Sequence, residues 1–167
     1  MATLRIPILG VNTIPDESGD VFLEPWSIKA TGAPAIDPLV LIFNESGAKD
    51  GIRGNFQVPQ NYVGTAKFII IWTANATTGV LNMDLSYLTR SAGEDFGAAA
   101  TDTTDNATDT KTGTVDVYEE LSFTVTSADF AAGDEVLFEL FRDSLDAADT
   151  MAAPAVVFGV YFEYSDA

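Results

Sequence analysis

Three aspartates beside an arginine form one of the densest groups of potential metal ligands in the chain. Arg142 and Asp143 are followed by Asp146 and Asp149, so carboxylates recur every three residues. Carboxylate oxygens are ligands that calcium prefers, but the segment lacks the turn glycine, the terminal glutamate and the alternating spacing of a calcium-binding loop. The favoured interpretation is therefore a loop in which Arg142 forms an ion pair with an aspartate, and calcium binding is the alternative.

A second group of oxygen-bearing side chains lies in the threonine-rich segment 102–114. Asp102, Asp105 and Asp109, together with Asn106, could offer oxygen ligands to a hard cation. The segment has no large apolar side chain, and ordering a flexible loop around an ion costs conformational entropy. We therefore expect an exposed, solvated loop, with cation binding as the alternative.

Catalytic chemistry has little support in the residue types. The chain contains no histidine and no cysteine, which excludes a serine–histidine triad and a thiol nucleophile. Glycoside hydrolysis needs two carboxylates that face each other across the scissile bond, but Glu119 and Glu120 are adjacent and would point to opposite faces of a strand. We predict a protein that is not an enzyme, with no catalytic residue, no cofactor and no metal ion.

Aromatic side chains could form a platform on which sugar rings stack. The candidates are Trp26, Trp72, Tyr87, Tyr161 and Tyr164. Trp72 and Tyr87 lie in segments that have the pattern of central strands, so core packing is the favoured interpretation for these two residues.

The charge balance restricts the partners. Twenty-five carboxylates face eight basic residues, for a net charge of −17. Such a surface repels phosphate backbones and anionic lipids, so we predict no nucleic-acid or membrane partner. Solubility is the favoured role of the charge, and an acidic face for a basic partner is the alternative. The sequence also shows no secretory signal pattern and no apolar run of membrane-spanning length.

Short apolar segments between turns must position these groups, and they predict an all-β fold. Residues 67–73 lack alternation, which predicts a strand buried on both faces. Residues 80–88 alternate, which predicts inward positions for Leu81, Met83, Leu85 and Tyr87. About eight strands are predicted at 39–43, 52–58, 67–73, 80–88, 115–118, 121–126, 135–142 and 155–164. An antiparallel β-sandwich of jelly-roll type is the expected architecture of residues 39–167, and an up-and-down barrel is the alternative.

Residues 1–38 differ from the rest of the chain. They hold five of the seven prolines, and because proline lacks a backbone donor this segment cannot supply central strands. Its large apolar side chains predict an extended N-terminal arm that lies on the body or on a neighbouring subunit. The subunit-docking residues we predict are Ile6, Ile8, Leu9, Phe22 and Trp26.

The order of several short motifs resembles a known group of proteins. The motifs are residues 56–62 (FQVPQNY), 67–72 (KFIIIW), 76–84, 132–136 (AGDEV), 142–150 and 156–164. This succession resembles small jelly-roll proteins encoded among the structural genes of tailed bacteriophages, over residues 55–165.

The resemblance implies a virion component that is assembled in the host cytoplasm. It implies a capsid decoration or cement module, commonly a homotrimer, that docks on the major capsid protein or other virion subunits. A receptor- or carbohydrate-binding module of a tail or head fibre is the alternative.

Overall fold

The structure is a computed structural model that describes residues 2–8, 12–14, 21–25, 39–45, 49–97 and 103–167, with the backbone alone at 12–14, 22–25 and residue 50. These ranges contain eleven strands and a 3-10 turn at Ser127–Asp129. The strands are β1 (Thr3–Pro7), β2 (Asn12–Ile14), β3 (Phe22–Pro25), β4 (Leu39–Phe43), β5 (Lys49–Gln57), β6 (Tyr62–Thr73), β7 (Val80–Arg90), β8 (Thr103–Thr110), β9 (Glu119–Thr124), β10 (Glu135–Asp143) and β11 (Ala155–Asp166).

The strands form two antiparallel sheets. The six-stranded sheet has the order β3-β4-β11-β6-β9, with β1 also paired to β11, and the five-stranded sheet has the order β2-β5-β10-β7-β8. From β4 to β11 the chain places four strands in each sheet, in the orders β4-β11-β6-β9 and β5-β10-β7-β8. This is the strand order of a jelly roll. The predicted fold class, an antiparallel β-sandwich of jelly-roll type, is therefore confirmed.

The core lies between the inner faces of the two sheets. Phe68 and its neighbour Ile69, which points to the opposite face, are both buried, as expected for a strand covered on both sides. On β7 the predicted inward side chains, Leu81, Met83, Leu85 and Tyr87, are all buried. The ring of Phe68 contacts those of Phe56, Tyr87, Phe130, Phe138 and Phe162.

Two local predictions were wrong: a segment expected as a loop is a strand, and a segment expected as a strand is a loop. Residues 103–110, expected as a loop, form the edge strand β8, which pairs with β7 over eight residues. Threonine favours strands, and the backbone ladder of an edge strand needs few apolar side chains. Residues 115–118, expected as a strand, form an exposed loop in which Tyr118 is 64% accessible. The Val117 carbonyl fixes this loop because it accepts hydrogen bonds from the Thr73 hydroxyl at 2.7 Å and the Lys111 ammonium at 2.6 Å.

The described part of the N-terminal segment adds strands to this chain's own sheets. β1 pairs with β11, β2 with β5 and β3 with β4, and β2 and β3 take edge positions, as expected for a proline-rich segment. Ile8 is buried in the core, and Ile6 packs against that core. Phe22 lies in β3 with its side chain undescribed, and Leu9 and Trp26 lie outside the described residues. Docking of these five residues on another subunit, and a domain division after residue 38, stay predictions.

Among the described residues there is no helix long and apolar enough to span a membrane.

Candidate binding face on the five-stranded sheet

The outer surface of the five-stranded sheet, opposite the core, carries an open depression of about 350 Å³. Its lining side chains on the outer surface are Arg53, Asn55, Ser86, Leu88, Leu137 and Glu139, and the core residues Gly54, Tyr87 and Phe138 also contribute. We call this surface, together with the adjoining Phe141, the binding face.

Strand register places a polar row across the middle of the binding face. Glu139 on β10 lies opposite Arg53 on β5 and opposite Ser86 on β7, and directly opposed residues of antiparallel strands project to the same side. Arg53 and Glu139 form an ion pair. The Ser86 hydroxyl lies 3.1 Å from the Thr104 hydroxyl of β8, which extends the row to the sheet edge.

An apolar row lies on one side of the polar row. Leu137 is paired with Leu88 on β7 and with Asn55 on β5. Leu88 is almost fully buried, whereas Leu137 is 39% exposed, so Leu137 offers the accessible apolar surface. The Asn55 side-chain amide donates to the Glu135 carboxylate at 2.7 Å, which fixes the amide at the margin of the depression.

The aromatic ring of Phe141 lies on the other side of the polar row. Phe141 is paired with Gly51 on β5, and a Cβ at Gly51 would lie only 2.0 Å from the Phe141 Cδ1 atom. The absence of a side chain at residue 51 therefore leaves the space that the aromatic ring fills. Two apolar surfaces thus flank one row of hydrogen-bonding groups.

The remaining cation near Phe141 is also paired. The Lys49 ammonium contacts the carboxylates of Asp84 at 2.8 Å and Asp143 at 3.0 Å. The hydrogen bonds that the ammonium donates to these two carboxylates, the one to Asp84 above all, raise the pKa of Lys49. Asp84 lies beside Phe141 in the ladder, and the Asp143–Lys49 pair lies two residues further along β10 and β5.

The first acidic segment, residues 142–149, has a structural role. The buried Arg142 guanidinium donates to both carboxylate oxygens of Asp149 at 2.9 Å, which confirms the predicted ion pair. Asp143 pairs with Lys49, and Asp146 accepts from the Ala148 backbone N–H at 2.7 Å. The three carboxylates thus have different partners, and no group of potential metal ligands was found in the part of the chain that the structure describes.

The second acidic segment lies in β8, and its side chains alternate between the two sides of the sheet. Asp105 and Asp109 lie opposite the inward-facing Leu85 and Leu81, whereas Asn106 lies on the outer side, opposite Asp84. Asp102 lies outside the described residues.

Asp109 has a partner of its own. It accepts a hydrogen bond from the Trp72 indole N–H at 2.8 Å, which links the two sheets. Burial raises the pKa of Asp109.

The adjacent glutamates have separate partners, as predicted for neighbours in a strand. Glu120 accepts two hydrogen bonds from Arg5, and these lower the pKa of Glu120. Burial alone would raise the pKa of Glu119, but hydrogen bonds from Thr112 and Lys111 outweigh it and lower that pKa. Glu119 and Glu120 therefore do not form a catalytic pair.

The four aromatic candidates that the structure describes do not meet on one surface. Trp72 and Tyr87 are buried in the core, as predicted, and Tyr164 is buried as well. Tyr161 is partly exposed on the six-stranded sheet, where its ring lies over Gly159. Trp26 lies outside the described residues.

The sequence did not identify the residues of the binding face as a site. One signal was available, because Leu137 and Phe141 are apolar side chains on the outward phase of β10. Their inward counterparts Val136 and Phe138 are buried. Apolar residues at outward positions of a strand indicate either a covering element or an exposed apolar surface.

The chain is distantly similar in fold to several solved structures, among them two with carbohydrate-binding modules. No family model and no curated protein matches the chain. One solved structure contains the CBM22-1 and GH10 modules of Clostridium thermocellum xylanase 10B with xylohexaose; its identity is 14%, its TM-score is 0.48, and the match covers 93% of this chain and 26% of that one. The other is TmCBM61 with β-1,4-galactotriose, at 10% identity and a TM-score of 0.43, with coverage of 95% and 91%.

Both solved structures contain a carbohydrate-binding module, and neither is described as a bacteriophage protein. Since both TM-scores are below 0.5, the jelly-roll assignment rests on the strand order itself.

Proposed function

We propose that the chain is a carbohydrate-binding module and that the binding face holds the sugar. The observation that carries the proposal is the outer face of the sheet, where Leu137 and Leu88 in the open depression and the adjoining Phe141 ring flank a polar row. Ligand sites typically combine an apolar lining with a few placed polar groups. A sugar ring presents apolar C–H groups on its face and hydroxyl groups around its edge, so it matches both parts of this surface.

The spacing of the face suits an extended ligand. Leu137 and Phe141 are four residues apart on β10, which corresponds to about 13 Å along the strand. The Arg53–Glu139 pair lies between them and offers donors and acceptors side by side. An oligosaccharide that follows β10 would therefore contact an aliphatic surface, a polar centre and an aromatic ring in succession.

Other ligand classes fit this face less well. A nucleic acid would need unpaired basic groups, but Arg53 and Lys49 both have carboxylate partners. A strand-forming peptide would need an open sheet edge, whereas the depression lies over β5, β10 and β7 inside the sheet.

The proposed role is binding without hydrolysis. The carboxylates of the depression and its margin, Glu139 and Glu135, lie four residues apart on one strand, about 13 Å, beyond the separation that glycosidases use. Glu139 is paired with Arg53, and Glu135 accepts from Asn55.

Titration calorimetry with a panel of soluble neutral polysaccharides tests the proposal. We expect saturable binding that weakens by roughly tenfold or more in Leu137→Ala and in Phe141→Ala, because each removes apolar contact worth about 1.5–3 kcal/mol. Tyr161→Ala changes a ring that lies on the other sheet, and it should bind as the wild type does. Absence of binding to the whole panel, or loss of binding in Tyr161→Ala alone, would reject the proposal.

The resemblance to phage proteins is compatible with this function if the chain is the receptor- or carbohydrate-binding module that the sequence analysis gives as the alternative. A carbohydrate- or receptor-binding module of a tail or head fibre would use such a face, whereas no observation on the described residues supports a capsid decoration role. Virion location, the homotrimer and docking on capsid subunits stay predictions. Light scattering on the purified chain tests the trimer.

A further inference from the structure

The polar row contains an arginine whose charge is already balanced. Arg53 is the one cationic side chain among the residues that line the depression. Its side chain is 56% exposed, that of Glu139 is 33% exposed, and the two form an ion pair. Because they lie opposite each other on neighbouring strands, the sheet holds the pair together at a fixed position.

An accessible guanidinium is a ready receptor for carboxylate or sulfate groups, which it binds with paired, charge-assisted hydrogen bonds. Here the Glu139 carboxylate of the same sheet contacts the Arg53 Nε atom. An anionic ligand that binds the terminal N–H groups of the guanidinium would therefore lie beside the Glu139 carboxylate, and like charges at such short distances repel. A hydroxyl group meets no such repulsion, because it can accept from Arg53 and donate to Glu139.

Carboxylates around the Arg53–Glu139 pair add to the repulsion of anionic ligands. Glu135 lies at the margin of the depression, hydrogen bonded to the Asn55 amide. At the other end Asp84 and Asp143 share the single ammonium of Lys49, so that cluster has an excess of negative charge. The whole chain carries −17, which repels polyanions at low ionic strength.

We propose that the Arg53–Glu139 pair restricts the binding face to neutral glycans and excludes glycans that carry carboxylate or sulfate groups. This inference rests on the proposed function. It assigns Glu139 the role of an internal anion that balances the charge of the Arg53 guanidinium.

The test compares neutral and anionic polysaccharides by affinity electrophoresis and calorimetry. The neutral probes are galactan, arabinoxylan and mixed-linkage glucan, and the anionic probes are polygalacturonate and dextran sulfate. We expect the wild type to bind at least one neutral probe and neither anionic probe.

Glu139→Gln supplies the decisive variant, because it keeps the shape of the side chain and frees the charge of Arg53. We expect the affinity for polygalacturonate to rise at least tenfold relative to the wild type, and the gain to shrink with added salt. Adding Arg53→Gln to that variant should abolish the gain. Glu163→Gln, which removes one carboxylate partner of Arg5 on the other sheet, is the matched control and should show no gain at the binding face.

The outcomes separate the two proposals. Wild-type binding to an anionic probe as tight as that to the neutral probes overturns the inference and leaves carbohydrate binding intact. A folded Glu139→Gln protein without any gain overturns it as well. If no probe of either kind binds, the proposed function and the inference fail together.

Discussion

Replacing Arg142 by methionine tests whether one buried ion pair holds the loop between β10 and β11. The Arg142 guanidinium, fully buried, binds Asp149 through two hydrogen bonds. It also donates to the carbonyls of Phe43, Met151 and Ala153, at 3.3, 2.6 and 2.9 Å. Arg142 thus connects β10, the end of β4 and the loop that leads into β11. Methionine retains much of the volume and removes every one of these bonds.

The size of the effect follows from what is left behind. The Asp149 side chain is 2% exposed, so without Arg142 its buried carboxylate loses its cation and keeps the backbone N–H groups of Asn82 and Met151. Breaking a buried ion pair in this way costs about 3–5 kcal/mol. The three carbonyls also lose charge-assisted hydrogen bonds, but rearrangement of the loop can hydrate them. We therefore expect Arg142→Met to lower the free energy of unfolding by about 4 kcal/mol or more, a large part of the ~5–15 kcal/mol typical of a domain.

Urea unfolding followed by circular dichroism measures this loss, with an unchanged m-value as the sign of an intact two-state transition. For a chain of this size the midpoint of thermal unfolding should fall by roughly 8–16 °C, at about 2–4 °C per kcal/mol. Arg53→Met is the matched control, because its ion pair is exposed and such pairs are worth below about 1 kcal/mol.

A loss below about 1 kcal/mol in Arg142→Met would refute the reasoning, since it would mean that Asp149 finds water or another partner without the arginine. The double variant Arg142→Met with Asp149→Leu removes the orphaned charge as well. It should recover part of the loss, because an apolar replacement of a buried ion pair is often close to neutral, and the carbonyls keep it from recovering all of it.

Three further predictions address other parts of the molecule. Burial raises the pKa of Asp109 above its ordinary 3.8, so the stabilising contribution of its protonated form is complete below the unfolded-state pKa and is lost as pH rises through the folded-state pKa. Asp109→Asn can still accept from Trp72 but carries no charge at either pH. The difference in unfolding free energy between this variant and the wild type should therefore favour the variant more at pH 7 than at pH 3, and an equal difference at both pH values would contradict this. Gly51→Ala places a Cβ 2.0 Å from the Phe141 ring and should cost about 1–3 kcal/mol; the cost should largely disappear in a Phe141→Ala background, and additive losses would argue against the contact. Because Asp149 is committed to Arg142, neither calcium nor a chelator should move the thermal midpoint, and a calcium-dependent rise would reopen the metal interpretation.

Much of the sandwich could be predicted because apolar patterning specifies buried strands. The run of Ile69, Ile70 and Trp72 leaves no wet face, and this fits only a strand near the middle of a sheet. Alternation in residues 80–88 likewise indicated which side chains of β7 point inward. The jelly-roll architecture could then be predicted from the number of strands, because eight antiparallel strands have few other ways to hide their edges.

The exchange between β8 and the loop at residues 115–118 shows where patterning fails. Apolar content predicts which residues are buried, but it does not decide which residues form a strand, because a strand needs only a backbone partner. β8 obtains that pairing from β7, so it forms from threonine and aspartate. Val115, Val117 and Tyr118 have the residue types of a strand, but the Thr73 hydroxyl and the Lys111 ammonium bind the Val117 carbonyl and hold the segment as a loop. Thr73 is 44 residues from Val117, so this contact does not appear in a local window of sequence.

The binding face could not be predicted for a related reason. Arg53 and Glu139 become neighbours only through the register of β5 against β10, and a slip of one residue would turn every side chain of a strand to the other face. Gly51 acquires its significance in the same way, because only the pairing with Phe141 explains why a side chain is excluded there. A site of this kind is a property of strand alignment. Variants at paired positions, such as Gly51 with Phe141 or Arg53 with Glu139, therefore test the alignment and the function together.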